Sequence, residues 1–224
     1  MKRKKTIILA TALTVVLFFN GVVDSSKEAY AATERSNGKN MEKVLKYYKK
    51  GEYKKAQKYN KKLSKYAKEK CVKNMSGKMK RAYLKIVKSY NMDMRSGKKY
   101  ISGYYLTDID NDNVTELIIK NGSSEADNKF YVYDWKNEKA KKLGKVEAIH
   151  SEVYAYIGHK GFIAYGGVTQ SERIRIITIK NGKLKVNTIA ERNDAYPYFG
   201  LRCEVKSHYY YENNDFKMDY SDLK

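Results

Sequence analysis

At Tyr100 the spacing of apolar residues along this chain changes, and that change limits the folds open to it. Upstream, Met41, Val44, Leu45 and Tyr48 share a helix face, as do Ala56, Tyr59, Leu63 and Tyr66, and then Met79, Ala82, Tyr83, Ile86, Val87 and Tyr90. Spacings of three and four put such residues on one side of an α-helix. Helices are predicted near 41–50, 53–70 and 77–92, separated by Gly51 and by Asn74-Met75-Ser76-Gly77, where Ser76 is the natural cap. Downstream the period is two, as in Tyr131 to Trp135 and Ile174 to Ile179. Asn121-Gly122, Gly166-Gly167 and Asn181-Gly182 mark turns between these runs. Strands are predicted near 103–108, 115–120, 129–135, 139–145, 151–157, 161–168, 173–180, 183–190 and 202–211. The expected class is α+β: a helical hairpin or three short helices, then an antiparallel β module of eight or nine strands.

The β part repeats weakly at a shift of 44 residues. "VYDWKNEKAKKL" falls on "IITIKNGKLKVN", with Asn137 on Asn181 and Gly122 on Gly166. Each copy holds about four strands, the content of a propeller blade. Two blades cannot close a propeller, so an open curved sheet or a sandwich covered by the helices is expected. "YYKKGEYKKAQKY" resembles the turn of a tetratricopeptide helix pair, but one unit predicts only a helical hairpin.

Charge divides the chain at the same place. Residues 32–100 carry 23 Lys+Arg against 5 Asp+Glu, whereas residues 101–224 carry 18 of each. The first part therefore calls for an anionic partner. Its densest set is Lys49, Lys50, Lys54, Lys55, Lys58, Lys61, Lys62 and Lys65, opposite the apolar helix face. Lysine spreads charge without fixed geometry, which suits a loose phosphate-rich polymer.

The N-terminus reads as an export signal. Met1 to Lys5 is basic, Ile7 to Phe19 is uncharged and apolar, and Ala29-Tyr30-Ala31 is a small-x-small cleavage pattern. Residues 1–31 are expected to be removed, 32–40 to be a disordered linker, 41–99 to be the basic helical segment and 100–224 the β module. Outside a cell, nucleic acid is a poor default partner. An anionic cell-wall polymer or membrane surface, at the envelope of a Gram-positive bacterium, is the expected one. An oxidising compartment also permits one bridge between Cys71 and Cys203.

The remaining signal is "YYLTDIDNDNVTELIIKNG", four carboxylates crowded between two apolar runs. Hard cations such as Ca²⁺ take six to eight oxygen ligands in a flexible cage, and without a cation these carboxylates repel one another. "DIDNDNVTEL" resembles the calcium loops of FG-GAP and VCBS repeats, and is similar to loops in small secreted proteins of clostridial type. That resemblance implies a structural Ca²⁺ held by the side chains of Asp108, Asp110, Asp112 and Glu116 and by the carbonyl of Val114. Asn113 stands where the family has glycine, and asparagine also tolerates the left-handed conformation. Ile119 stands where an EF-hand has its bidentate Glu, so the loop is not an EF-hand. In the second repeat Glu152, Tyr154 and Tyr156 replace Asp108, Asp110 and Asp112.

No motif for catalysis accompanies this loop. His150, His159 and His208 sit in no recognisable catalytic setting. There is no phosphate-cradling glycine loop, zinc-binding His-Glu-x-x-His or Gly-x-Ser-x-Gly elbow. The sequence therefore predicts a secreted, surface-associated, non-enzymatic binding module with a structural calcium loop. The alternative is an enzyme or enzyme inhibitor acting on envelope or host polymers from a site in the β module.

Overall fold

A computed structural model describes residues 32–64, 75–90, 98–168, 170–193, 198–212 and 215–224. Helices come first: α1 (32–49), α2 (Tyr53–Asn60) and α3 (Gly77–Lys88). Eight strands follow, as two antiparallel meanders of identical plan. β1 (Tyr100–Thr107), β2 (Glu116–Gly122), β3 (Lys129–Lys136) and β4 (Lys139–Glu147) form sheet one in the order β1-β2-β3-β4. β5 (Ser151–Ala155), β6 (Phe162–Val168), β7 (Ser171–Lys180) and β8 (Lys183–Arg192) form sheet two in the order β5-β6-β7-β8. A hairpin of β9 (Tyr209–Glu212) and β10 (Asp215–Met218) and a 3₁₀ turn at Ser221–Leu223 complete the chain.

The 44-residue repeat is thus one sheet per copy. Asn137-Glu138 and Asn181-Gly182 make the same tight turn, with φ of 51° and 56° in the first and 53° and 67° in the second. Gly122 and Gly166 share a second constraint. A Cβ at Gly122 would stand 2.6 Å from Asn128 Oδ1, and one at Gly166 only 1.7 Å from the carbonyl oxygen of His150. Gly166-Gly167, expected as a turn, therefore lies inside β6, where only glycine lets the neighbouring chain pass.

Alternation of side chains across each strand builds four layers. Tyr105, Ile118, Phe130 and Val132 of sheet one face Val153, Phe162, Ala164 and Ile177 of sheet two in a shared core. The opposite face of sheet one, with Tyr104, Leu106, Leu117 and Ile119, is covered by Met79, Tyr83 and Val87 of α3. The opposite face of sheet two, with Ile163, Tyr165, Ile174 and Ile176, is covered by α1 and α2 through Met41, Val44, Leu45, Tyr48 and Ala56. Covering on both faces explains why β2 reads "ELIIKNG" without a polar side. An ion network around the buried Lys120 crosses between the sheets. Lys120 Nζ donates to Glu125 at 2.8 Å and to Glu152 at 2.6 Å, and the Tyr105 hydroxyl donates to Glu152. Glu152, the repeat's counterpart of Asp108, thus holds a lysine.

Helix boundaries differ from expectation for long-range reasons. Residues 32–40, expected as a linker, are the first turns of α1. Gly38 is buried against the Ile157-Gly158 turn, where a Cβ would stand 3.3 Å from the Ile157 carbonyl oxygen. α2 ends at Asn60 because that buried side chain turns to the chain at 200–202. Its amide donates to the Gly200 carbonyl at 2.9 Å and its oxygen accepts from the Arg202 amide at 3.0 Å. α3 starts as expected, with Ser76 Oγ accepting from the Met79 amide. The ninth strand, expected over 202–211, is replaced by an edge segment and a hairpin. Around Cys203 to Val205 the chain lines the edge of β5, with the Ala155 amide donating to Cys203 and the Val205 amide to Val153. At His208 it moves to the edge of β1, where its amide donates to Tyr104.

Candidate metal centre

The loop between β1 and β2 is fixed by its own carboxylates. Asp108 accepts from the amides of Asp112 at 3.2 Å and Asn113 at 3.0 Å, and Asp112 accepts from the Val114 amide at 2.8 Å. Asn111 and Asn113 take φ of 58° and 66°, left-handed values that asparagine adopts more readily than most residues. At the loop's end, Tyr83 of α3 donates its hydroxyl to the Thr115 carbonyl at 2.8 Å. In its middle, Ile109 buries its side chain in the core between the sheets.

This folding gathers Asp108, Asp110 and Glu116, with one carboxylate oxygen from each lying within 4.8 Å of the others. Two ligands on one Ca²⁺ lie at most about 5 Å apart, given bonds of about 2.3–2.6 Å, so the group is of a size to hold a single ion. Glu116 is 1 % exposed. Its Oε2 accepts from the Ile109 amide at 2.5 Å, while Oε1 has no hydrogen-bond partner. Asp110 Oδ1 is likewise buried and unpartnered. A buried carboxylate oxygen without a donor is costly, and a cation removes that cost.

The electrostatics agree. Burial pushes Glu116 up to about 9, against the pull of the Ile109 amide and with the charges of Asp110, Asp108 and Asp112 adding to the rise. Asp110 is raised by burial first, then by Asp112, Asp108 and Asp134, with Lys160 opposing. Asp112 lies outside the three-carboxylate group and is exposed, its side chain engaged with the Val114 amide. Asp134 of β3 is the neighbour that sequence spacing did not indicate. It too is raised, by burial and by Asp112. Only the strand register, which brings β3 alongside β2, places it there.

The other predicted residues lie elsewhere. Lys49, Lys50, Lys54, Lys55, Lys58, Lys61 and Lys62 are all exposed on α1, α2 and the turns after them; Lys65 lies outside the described residues. Lys55 pairs with Glu52, and Lys62 sits 5.5 Å from the Tyr59 ring. The tyrosines beneath are packing residues, with Tyr47 and Tyr59 stacked at 5.6 Å. Cys203 is a buried thiol that donates to the Ser64 carbonyl, and burial pushes it up to about 11. Cys71, its expected partner, lies outside the described residues, as does the export signal at 1–31. Among the described residues no helix is long and apolar enough to cross a membrane.

His208 is fully buried, stacked on Tyr104 and bonded to Asp222, so it secures the C-terminus. His159 stacks on Tyr156 and reaches Glu42 of α1. No family model, no curated protein and no solved structure matches this chain.

Proposed function

We propose that this chain is an exported, surface-associated binding module, held in shape by a structural Ca²⁺ and attached to an anionic cell-wall polymer or membrane surface through the basic face of α1 and α2. The observation that carries the calcium reading is Glu116, which is buried beside Asp108 and Asp110 and has an Oε1 without a donor. An all-oxygen donor set of acidic side chains suits a hard cation over zinc or copper. Asp108, Asp110 and Glu116 would hold the ion, with Asp112 and the Val114 carbonyl completing the loop as in FG-GAP and VCBS repeats. The ion supplies charge neutralisation where β1 turns into β2, and stabilises the fold by mass action. Extracellular calcium fills even a weak site of ~10⁻⁴–10⁻³ M.

Support for the surface reading is the row of exposed lysines on the two helices, whose apolar sides are committed to sheet two. Thermal melting in millimolar Ca²⁺ and in chelator tests the first part. The melt is expected to rise with Ca²⁺ in the native chain and to stay put in Asp110→Ala. A native chain indifferent to both calcium and chelator overturns the calcium reading. Salt-sensitive retention on teichoic-acid-bearing walls tests the second part, and retention that high salt does not weaken overturns it.

A further inference from the structure

The β module carries as many acidic as basic residues, yet the fold separates them. β1 and β5 have their outer edges engaged by the segment from Cys203 to His208, through Val153, Ala155 and Tyr104. β4 and β8 are the edges at the other side. They abut each other: a Cβ at Gly144 of β4 would lie 3.5 Å from Leu184 Cδ1 of β8. Leu143, Val146 and Leu184 pack beneath this seam against the core. On the outer faces beside it stand Lys142 and Lys145 from β4 and Lys183 and Lys185 from β8, while Lys139 and Lys141 of β4 lie on the opposite face of sheet one; all six are exposed.

The acidic residues on these strands are occupied by cations from other elements. Glu147 lies 3.9 Å from Arg175, Glu191 lies 3.1 Å from Arg173, and Glu138 in the β3–β4 turn lies 2.5 Å from Lys78. Among the described residues no carboxylate comes within 4 Å of any of the six ammonium groups. Lys142 instead lies over the Tyr131 ring at 4.4 Å.

We propose that the seam of β4 and β8 is a second polyanion-binding surface, which takes a linear phosphate-backbone polymer lengthwise along the two strands. Alternate side chains on a strand repeat at about 6.8 Å, so Lys183 and Lys185, with Lys142 and Lys145 across the seam, form an extended charged track rather than a compact pocket. Lysine ammoniums act as point charges without a fixed fork, which fits a flexible chain of phosphates. The inference takes its partner class from the surface reading above but rests on different residues.

The test is binding of end-labelled long-chain polyphosphate to the full chain, followed by fluorescence anisotropy across a range of salt. One variant combines Lys142→Gln, Lys145→Gln, Lys183→Gln and Lys185→Gln; a second combines Lys49→Gln, Lys54→Gln, Lys58→Gln and Lys61→Gln on the helices. Each lost phosphate contact lowers the slope of log K against log salt by about 0.7. The strand variant is therefore expected to lose about 2–3 from the slope and at least tenfold in affinity at low salt. Unchanged slope and affinity in the strand variant overturn the proposal. If the helix variant alone loses binding, the surface reading stands and this one falls; if neither loses it, both fall. A strand variant that keeps its affinity but elutes as a dimer shows that the lysines only guard exposed strand edges, which also overturns it. So does a native chain that binds anionic phosphatidylglycerol vesicles but not polyphosphate.

Discussion

The backbone amide of Ile109 donates to Glu116 Oε2 at 2.5 Å, and the Ile109 carbonyl accepts from the Gly161 amide at the same distance. One residue thus ties the acidic loop of sheet one both to its own closing carboxylate and to the β5–β6 turn of sheet two. Glu116→Gln keeps an oxygen for the Ile109 amide but removes the charge. Its melting temperature is expected to match or exceed that of the calcium-free native chain, with no response to added Ca²⁺. Glu116→Ala leaves the amide without its acceptor and opens a cavity, at a cost of roughly 1–3 kcal/mol for the lost hydrogen bond alone. Urea denaturation of both variants, with and without Ca²⁺, checks the pair. A calcium response that survives in Glu116→Gln removes Glu116 from the site.

The raised Glu116 carboxyl makes calcium-free stability depend on pH. Its ordinary value is 4.5 and its folded value is about 9. Between these limits the folded chain keeps a proton that the unfolded chain has released. The folded state then binds more protons, so stability falls as pH rises. The stabilising contribution is complete below about 4.5 and is lost as pH climbs toward 9. Calcium held here would require the ionised carboxylate, so its binding would release the proton and tighten with pH. In chelator, the melting temperature is expected to drop by several degrees between pH 6 and pH 8.5; in Ca²⁺ the drop is expected to shrink or vanish. A calcium-free melt that rises over this range contradicts the burial of a protonated Glu116.

What the sequence made legible was local. The Ser76 cap, the Asn137-Glu138 and Asn181-Gly182 turns and the left-handed Asn113 all follow from preferences within a few residues. Eight strands and their pairing into two copies follow from period and repeat. What it hid was set by distant contacts. The extension of α1 to residue 32 depends on Gly38 meeting Ile157, and the end of α2 on Asn60 meeting Gly200 and Arg202. The same holds in the site. Asp108 and Asp110 were evident from alternation. That Glu116 would be buried with one bare oxygen, that Asp112 would bond to the Val114 amide, and that Asp134 would stand near required the packing of β3 and α3. Charge balance over residues 101–224 likewise concealed the separation of carboxylates in one loop from lysines along one seam.

A second buried carboxylate has the opposite character. Glu172 is fully buried and accepts from the hydroxyls of Tyr48 at 2.6 Å and Tyr165 at 2.7 Å, from the Phe199 amide at 2.9 Å and from Arg192 at 2.7 Å. It joins α1, sheet two and the chain at Phe199, and it has no vacancy for a metal. Glu172→Ala strands four donors and is expected to cost roughly 3–5 kcal/mol. Tyr48→Phe removes one hydrogen bond and is expected to cost about 1.5–3 kcal/mol, the range for bonds to charged groups. Chemical denaturation of the two single variants and the double variant measures their coupling. Strict additivity would mean that Tyr48 does not depend on Glu172.

The turn at Asn137-Glu138 is the last place where the two copies differ informatively. Both copies require φ above zero at the second turn residue. The second copy meets that need with Gly182, and the first places Glu138 at 56°. A left-handed residue with a Cβ costs roughly 1–2 kcal/mol. The ion pair of Glu138 with Lys78 returns little, because both side chains are exposed and solvent and salt screen the pair. Glu138→Gly is therefore expected to stabilise the chain by about 0.5–1 kcal/mol, the relief of left-handed strain being reduced by the greater freedom glycine gives the unfolded chain. Gly182→Ala, where a Cβ would meet nothing within 4 Å, isolates the backbone cost and is expected to destabilise by about 1 kcal/mol. Equilibrium urea unfolding with Ca²⁺ held constant measures both. If Glu138→Gly is the less stable chain, the ion pair to α3 outweighs the backbone, and the turn is held by Lys78 instead of by its own residues.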